Sequence, residues 1–498
     1  MKNKSVLIIG SGLSGLLSGY ILSKEGFQVT ILEKHFQIGG CLQTFKRNGC
    51  IFDTGFHYVG GLDKGQNLYR FFKYFDLIDR LKLKPQDEDF DQISFYDGSS
   101  YWFRSGYEAF IDRLSADFPD ERKSIQRYIH KIREMSDAFP LYNLRNVGGG
   151  YSETHLFQES IADYMYNLTS NDRLMNVLAG TNPLYAGVPE KSPMYIHSLI
   201  NNSNIESSWR LVDGSQQVAD RLVESIESYG GKVRASAEVK RLVVKEKRVT
   251  AVELADGEIL EADSVISSIH PVRTLEMIGK DKIRNAYRSR INSLENTISS
   301  FVVYVVFKPN RFKYLNYNTY HYTQDSVWIT KDYKESEWPQ GYLFLTPAVS
   351  SSDQFAECAS IISFMDFREV KKWENTSIGR RGEEYEAFKR YKAEILLNEV
   401  EKKFPGFKDS IKTYYTSSPL TYRDYTGTEE GSIYGILKDS KNIMKTLILP
   451  RTKIKNLFLT GQNTNVHGIL GVTIGSVLTC GEFVDVNYLI DKIRKAAE

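Results

Sequence analysis

The fold is decided by residues 5–54, SVLIIGSGLSGLLSGYILSKEGFQVTILEKHFQIGGCLQTFKRNGCIFDT. Residues 6–9 form a short apolar run typical of a buried parallel strand, and a G-x-G-x-x-G motif follows directly at residues 10–15. Apolar residues then recur at helical spacing until a glycine ends the helix, and a second apolar run at residues 29–32 leads to Glu33. The stretch therefore predicts a strand, a glycine turn, a helix and a second strand.

In this context the glycine motif predicts a dinucleotide site rather than an ordinary glycine-rich turn. Its glycines allow a tight turn, close approach of phosphate and close packing of the helix on the strand. The helix N-terminus attracts the pyrophosphate, and an acid at the end of the second strand accepts a hydrogen bond from a ribose hydroxyl. The cofactor-binding residues predicted in this unit are Gly10, Gly12, Leu13, Ser14, Gly15, Glu33 and Lys34.

Composition limits the classes of function. A chain of 498 residues is too long for one core, and its net charge of +2 does not indicate a nucleic-acid partner. The four cysteines include no C-x-x-C pair, which argues against a metal site and favours a reducing compartment. No segment approaches the ~20 apolar residues that a membrane-spanning helix needs. We expect a cytoplasmic protein that at most associates peripherally with a membrane.

The C-terminal part repeats the pattern of the opening. An apolar strand at residues 456–460 leads into the turn Gly461-Gln462-Asn463, and a glycine-punctuated helix follows at residues 468–483. This second anion or carbonyl cradle lies far along the chain from the first, and two cradles suit FAD better than NAD. We find no second G-x-G-x-x-G motif after a strand, so we expect no directly bound NAD(P)H and an exchange of electrons with the substrate, with oxygen or with a separate electron donor or acceptor.

The order of the patterns predicts an α/β protein of three parts. Helical periodicity dominates between the two βαβ-like regions, and alternating strands dominate the stretch before the C-terminal cradle. A glycine triplet at residues 148–150 predicts a hinge or flexible turn within the helices. The predicted parts are a discontinuous FAD-binding domain (1–65, 205–290 and 445–498), a mainly helical insertion or lid (66–204) and a sheet-rich substrate-binding domain (291–444).

Several motifs together resemble a known superfamily. They are GSGLSG, EKHFQIGG, FDTGFHYVGG, PLTYRDYTGTEEGSIYG and LTGQNTNVHGILGVTIGS. The set resembles the phytoene desaturase, carotenoid isomerase and retinol saturase superfamily, and is most similar to the retinol saturase branch. The resemblance implies a Rossmann-like FAD-binding domain in an amine-oxidase-like architecture. It also implies a membrane-surface enzyme that acts on C=C bonds of a polyene or other isoprenoid lipid, a hydrophobic small-molecule substrate.

The resemblance extends the set of predicted cofactor contacts. It implies that Gly39 and Gly40 lie at the diphosphate and that the backbone of Val239 contacts the adenine. At the ribityl chain and flavin it implies Gly461, Gln462, Asn463, Gly471, Val472 and Thr473. Many members of the superfamily carry an arginine where this chain has Cys41 and an acid where it has Asn463. The loss of that acid removes a negative charge from the flavin end of the site.

Four residues are candidates for proton transfer. The resemblance places His57 and Tyr58 close to the flavin and Tyr434 on its other side, while His467 precedes the C-terminal helix. Each could act as a general acid, and each has a structural alternative as a packing or hydrogen-bonding residue. Saturation of a C=C bond needs a hydride and a proton, desaturation is the reverse, and cis/trans isomerisation needs no net redox change. A non-catalytic pigment or lipid carrier is the third hypothesis.

Overall fold

The computed structural model describes residues 4–148 and 157–498. The predicted hinge at residues 148–150 falls largely outside these ranges, so only Gly148 of the triplet is described. In these ranges the strands are β1 (Ser5–Ile9), β2 (Gln28–Leu32), β3 (Thr44–Arg47), β4 (Cys50–Asp53), β5 (Val59–Gly60), β6 (Leu83–Pro85), β7 (Asp89–Phe95), β8 (Ser100–Arg104), β9 (Ser208–Leu211), β10 (Lys232–Arg234), β11 (Val239–Lys245), β12 (Arg248–Leu254), β13 (Ile259–Leu260), β14 (Ser264–Ser267), β15 (Ser299–Phe307), β16 (Asn318–Tyr322), β17 (Gly341–Leu345), β18 (Cys358–Met365), β19 (Ile411–Ser417) and β20 (Leu457–Leu459).

Within the described part of the chain, five of the helices lie between β8 and β9, and two follow β20 at the C-terminal end. In the described ranges they are α1 (Leu13–Lys24), α2 (Asn67–Tyr74), α3 (Tyr107–Asp117), α4 (Arg122–Ala138), α5 (Ile161–Leu168), α6 (Asp172–Leu178), α7 (Met194–Glu206), α8 (Gln216–Ser228), α9 (Pro271–Glu276), α10 (Asn285–Asn292), α11 (Glu383–Lys403), α12 (Phe407–Ser410), α13 (Pro419–Thr426), α14 (Ile443–Thr446), α15 (Gly468–Val484) and α16 (Val486–Ala496). Among the residues that the structure describes, no helix is both long and apolar enough to cross a bilayer.

A five-stranded parallel sheet joins both ends of the chain. Its strand order is β10-β2-β1-β14-β20, with β1 at the centre. Helix α1 contacts both α8 and α15 and is buried along most of its length. Its close packing depends on Gly15, because a Cβ there would lie 2.1 Å from the carbonyl oxygen of Gly10. The predicted Rossmann-like unit is confirmed, and β11, β12 and β13 form the small antiparallel sheet beside it.

A seven-stranded mixed sheet forms the second layer. Its order is β19-β15-β18-β17-β16-β7-β8, and β7 and β16 run parallel while the other neighbours are antiparallel. Strand β15 is buried along its whole length, as expected for an interior strand that is covered on both faces. The predicted sheet-rich character of residues 291–444 is therefore observed.

The interpretation of residues 66–204 as mainly helical missed two long strands. Strands β7 and β8 form a hairpin through Asp97 and Gly98, where Gly98 has φ +86°, and they complete the seven-stranded sheet. The second partner of β7 is β16, more than two hundred residues away, and this pairing leaves no local signal in the sequence. Only the hairpin with β8 is marked, by its Asp-Gly turn. The positions of the boundaries between the three parts stay a prediction.

Candidate active site

A single large cavity links the two cradles to the seven-stranded sheet. Its volume is about 1500 Å³, which exceeds the ~300–1,000 Å³ of a typical small-molecule pocket. Of the predicted site residues, its lining includes Gly10, Gly12, Leu13, Ser14, Glu33, Lys34, Gly39, Gly40, His57, Tyr58, Val239, Tyr434, Gln462, Asn463, His467, Gly471 and Val472. The fold thus brings together residues that are more than four hundred positions apart.

Three of the predicted cofactor residues lie behind this wall and support it. Gly15 allows α1 to pack on the first turn. Gly461 has φ +101°, and a Cβ there would lie 3.0 Å from Oγ of Ser14. The hydroxyl of Thr473 donates to the carbonyl oxygen of Ile469 at 2.7 Å within α15. Their place in the structure is one of packing, and direct contact with the cofactor stays a prediction.

The N-terminus of α1 forms an anion cradle. Gly12 is the N-cap residue, no side chain caps the helix, and its first turn carries no acid. A Cβ at Gly12 would meet no protein atom within 4 Å, so the cavity reaches the backbone there. Exposed backbone N–H groups and the helix dipole together favour a phosphate at this position. The residues present fit the pyrophosphate of a dinucleotide.

Glu33 is fixed at the end of β2. Its Oε2 accepts hydrogen bonds from the backbone N–H of Ser11 at 2.9 Å and from Ser11 Oγ at 2.7 Å, and its Oε1 accepts from the N–H of His35 at 2.9 Å. A carboxylate can accept about four hydrogen bonds, so one acceptor position is left for a ribose hydroxyl. Ser11 orients this acid, a role that the sequence pattern did not predict.

Lys438 holds the C-terminal turn in place. Its buried amino group, whose pKa burial lowers to about 7, donates to the carbonyl oxygens of Asn463 at 2.9 Å, Thr464 at 3.0 Å and Thr446 at 3.2 Å. The side chain of Asn463 in turn accepts from the backbone N–H of Ile436 at 3.1 Å. Asn463 is therefore a structural link of the turn as well as part of the cavity wall. Lys438 stands in a polar stretch without periodicity, so no local pattern in the sequence marks it.

Several buried polar atoms in the cavity wall have no hydrogen-bond partner in the described parts of the chain. They are Nδ1 of His57, Oγ of Ser432, Oδ1 of Asn465 and Nε2 of His467. An unpaired buried polar group costs ~1–3 kcal/mol, so these atoms fit a bound ligand that carries both donors and acceptors. The isoalloxazine and ribityl groups of FAD are such a ligand.

The two candidate histidines are uncharged at neutral pH. Burial, with a smaller contribution from Arg210, lowers the pKa of His57 to about 4. Burial and the nearby Lys438 lower the pKa of His467 to about 3. Because a neutral imidazole is a weak proton donor, both rings suit hydrogen bonding to the cofactor better than general acid catalysis. Their catalytic role stays a prediction.

The two candidate tyrosines differ in their hydrogen bonding. Tyr434 donates to the carbonyl oxygen of Pro183 at 3.0 Å, and its ring centroid lies 4.6 Å from that of His467. This arrangement fixes the ring as part of the wall. Tyr58, which also lines the cavity, donates to Oδ2 of Asp91 at 3.0 Å and is hydrogen-bonded to Tyr320. Tyr58 is therefore the candidate with a titratable partner behind it.

Asp91 is a fully buried acid that the sequence analysis did not single out. It accepts a hydrogen bond from Nδ2 of Asn318 at 2.7 Å in addition to that from Tyr58. Burial raises the pKa of Asp91 to about 7, although these hydrogen bonds and Arg210 act in the opposite direction. The carboxyl group is thus divided between its protonated and ionised forms near neutral pH.

The titration of Asp91 predicts a specific pH dependence of stability. Between about pH 4 and about pH 7 the folded chain holds a proton that the unfolded chain has released, so the free energy of unfolding falls as pH rises. The full effect is on the order of 4 kcal/mol. In Asp91→Asn this loss of stability is absent. The melting temperature of the variant should therefore rise relative to that of the wild type as pH increases across this range.

Thermal unfolding at several pH values checks this expectation. The matched control is Asp89→Asn on the same strand, whose carboxylate is paired with Arg104 at 2.7 Å near the surface. The control should not gain on the wild type as pH rises. A constant difference between Asp91→Asn and the wild type from about pH 5 to about pH 8 would contradict the raised pKa.

One part of the cavity is apolar. Its lining there comes from the helical region of residues 107–206 and from the seven-stranded sheet. Its lining there includes Phe139, Leu141, Tyr195, Leu199, Ile200, Tyr322, Ile329, Leu343, Ile362 and Phe364. Such a chamber excludes water and suits a long hydrocarbon ligand.

Comparison with known proteins establishes the family. The model of the flavin containing amine oxidoreductase family matches residues 13–354, well over half of the chain. The chain belongs to this family. Its cofactor is FAD, and it is an FAD-dependent oxidoreductase, as the two cradles predict. Cyclohexylamine oxidase from Brevibacterium oxydans has a similar fold, with a TM-score of 0.61 and 14% identity, covering 98% of this chain and 99% of that one. The predicted amine-oxidase-like architecture is confirmed.

Curated relatives match almost the whole chain. All-trans-retinol 13,14-reductase of Danio rerio is 26% identical over 96% of this chain and 85% of its own length. Prolycopene isomerase 1 of an Oncidium hybrid is 23% identical over 98% of this chain and 84% of its own length. These similarities confirm the resemblance to the retinol saturase and carotenoid isomerase superfamily.

Proposed function

We propose that this protein reduces a C=C bond of a polyene or other isoprenoid lipid with electrons carried by its FAD. One observation carries the proposal: the anion cradle of α1 and the apolar chamber are parts of the same cavity. A lipid in the chamber would therefore reach the cofactor without crossing water. The similarity to a retinol reductase over nearly the whole chain supports the same chemistry.

The chain's own residues have defined tasks in this reaction. When bound, FAD supplies the hydride-transfer chemistry. The apolar chamber orients the polyene and excludes water, and Tyr58 stands in the wall as the proton donor. Because no second dinucleotide motif follows a strand in the sequence, we also propose that the electrons come from a separate donor.

Product mass tests the proposal. The protein, loaded with FAD and chemically reduced, is incubated without oxygen with all-trans-retinol and, separately, with prolycopene. Reduction predicts a product that is two hydrogens heavier than its substrate, and the oxidised protein is the matched control. A reduced protein that leaves every polyene at its original mass and retention time contradicts the proposal.

A redox-neutral isomerase is the second candidate. The similarity to a prolycopene isomerase over 98% of this chain favours it. Cis/trans isomerisation would return a product of unchanged mass and altered retention time. The same incubation therefore separates the two candidates, since a consistent gain of two hydrogens rejects the isomerase.

We also propose that the protein takes its substrate from a membrane surface. The cavity opening includes a segment, the 440–453 rim, in which Met444 is 80% exposed and Leu449 is 60% exposed. Its basic residues are Lys441, Lys445, Arg451 and Lys453. Apolar side chains flanked by basic ones favour binding to an anionic lipid surface.

Acidic substitutions at the apolar positions of the rim test this association. Burial of a large apolar side chain contributes ~1.5–3 kcal/mol, so Met444→Glu with Leu449→Glu should reduce the fraction bound to anionic liposomes about tenfold or more. The measurement is co-sedimentation with vesicles of phosphatidylserine and phosphatidylcholine. The control is Ile259→Glu with Ile378→Glu, at positions 64% and 53% exposed that do not line the cavity. Equal binding of the rim variant and the control would contradict the proposal.

A further inference from the structure

A chain of buried polar side chains extends from the cavity wall into the protein behind Tyr58. Tyr58 donates to Asp91 on β7, and Asp91 accepts from Asn318 on β16. Oδ1 of Asn318 then accepts from Nη2 of Arg210 on β9 at 2.8 Å. Tyr320, two positions after Asn318 on β16, is hydrogen-bonded to Tyr58. Three separate strands and one loop therefore supply a single network.

The network is more polar than packing requires. Asp91 and Asn318 are fully buried and Arg210 is 1% exposed, and the two strands β7 and β16 are paired at Asp91 and Asn318. Nε and Nη1 of Arg210 have no hydrogen-bond partner in the described residues. Burial of ionisable groups costs several kcal/mol each and is characteristic of functional sites. Apolar residues at these positions would complete the sheet at lower cost.

The amide of Asn318 separates the buried acid from the buried cation. Asp91 and Arg210 both bond to Asn318, one to its nitrogen and the other to its oxygen. A directly paired arginine would hold the carboxyl group ionised, whereas a fully isolated carboxyl group would stay protonated. With Asn318 between them, Arg210 stabilises the ionised form only partly. The carboxyl group can therefore gain and lose a proton at little cost.

We propose that Asp91 is the proton reservoir for C=C reduction and delivers its proton to the substrate through the hydroxyl group of Tyr58. This inference rests on the proposed function. Reduced FAD, when bound, would supply the two electrons as a hydride to one carbon. When Asp91 is protonated, its carboxyl O–H donates to the oxygen of Tyr58 across the same contact, and the O–H of Tyr58 turns to the substrate. At the other carbon a C–H bond then forms as the O–H bond of Tyr58 breaks, and the carboxyl proton of Asp91 restores that O–H bond. Asp91 is left as a carboxylate, bonded to Asn318 near Arg210, until it takes up a proton from solvent.

The relay has a defined set of neighbours that influence its titration. Tyr58, Tyr320 and Arg210 are the titratable or charged groups that face Asp91 from the elements packed against it. The charge of Arg210 also acts on His57, and burial keeps this imidazole uncharged at neutral pH. Asp91 acts through Tyr58, so it is a positioning and proton-supplying residue, and Tyr58 is the group that contacts the substrate. Isomerisation needs no net proton and so does not depend on the relay.

Infrared spectroscopy of the FAD-loaded protein tests the reservoir directly. The carbonyl stretching band of a protonated carboxyl group should titrate near pH 7 in the wild type and be missing in Asp91→Asn. Asp53→Asn is the spectral control: it removes another buried acid, whose pKa is raised by burial to about 6, and it should keep the Asp91 band. Tyr58→Phe should also keep the band. These readouts do not depend on turnover.

The rate of reduction completes the test. Asp91→Asn and Tyr58→Phe should each slow formation of the product two hydrogens heavier by at least about 100-fold, and the pH profile of the remaining activity should lose its limb near pH 7. If the wild type reduces its substrate but Asp91→Asn keeps the carboxyl band, the rate or the pH profile of the wild type, the relay alone is overturned. Absence of any heavier product from the wild type would overturn the proposed function and the relay with it. If Asp91→Asn does not fold, Tyr58→Phe decides: a wild-type rate overturns the relay.

Discussion

Replacement of Gly12 by aspartate is expected to weaken FAD binding by about 100-fold or more and to leave the folded protein intact. A Cβ at Gly12 meets no protein atom within 4 Å, and its φ of −61° suits any residue. Aspartate is also a favourable N-cap residue for α1, so the apoprotein should melt no lower than the wild type. A carboxylate about 5 Å from a phosphate charge is repelled by ~3 kcal/mol at an effective dielectric constant of about 20. The affinity for FAD should therefore fall by about 100-fold or more.

Flavin content and calorimetric titration of the apoprotein measure this loss. Gly12→Asn is the matched control, because it adds the same volume without the charge. The asparagine variant should lose less affinity than the aspartate variant, and the difference should shrink at high salt. If Gly12→Asp retains flavin at wild-type occupancy, the pyrophosphate does not lie at the N-terminus of α1.

Replacement of Lys438 by methionine is expected to lower both stability and flavin retention. The ammonium group donates to three carbonyl oxygens, two of them in the turn that follows β20. A hydrogen bond to a charged group contributes ~1.5–3 kcal/mol, and methionine leaves the carbonyls buried without a donor. We expect a loss of about 3 kcal/mol or more in the free energy of unfolding. The turn carries Asn463, so FAD should dissociate faster as well.

Chemical denaturation of the apoprotein and the rate of flavin release check both effects. Lys455→Met is the control, because the side chain of Lys455 is exposed and does not line the cavity. The control should match the wild type in both measurements. Stability of Lys438→Met within about 0.5 kcal/mol of the wild type would show that the turn does not depend on this lysine.

Local patterns were sufficient wherever an element is specified by neighbouring residues. The unit from β1 to β2 follows from two apolar runs and a glycine motif, and both are observed. The long helix α11, from Glu383 to Lys403, carries a local stop signal as well, since a Pro-Gly pair follows it at residues 405–406. The cofactor likewise follows from two separate cradles, each of which carries its own local signal.

The parts that the sequence did not predict depend on contacts between distant residues. Strand β7 pairs with β16, and the pair creates the buried position of Asp91 next to Asn318. Arg210 and Lys438 are charged residues that local patterns assign to the surface, and only tertiary packing buries them. The polar network behind Tyr58 therefore became visible only in the folded structure. Glu33 was predicted, but its orientation by Ser11 was not.

The central claim is that electrons leave the bound flavin and enter a C=C bond of a lipid. Its most direct test is a single-turnover experiment without oxygen, in which all-trans-retinol is mixed with a known amount of the fully reduced, FAD-loaded protein. We expect the absorbance of oxidised flavin to recover, and each flavin reoxidised to yield one product molecule two hydrogens heavier than the substrate. A flavin that stays reduced while the polyene changes only its geometry would contradict the proposed reduction of a C=C bond.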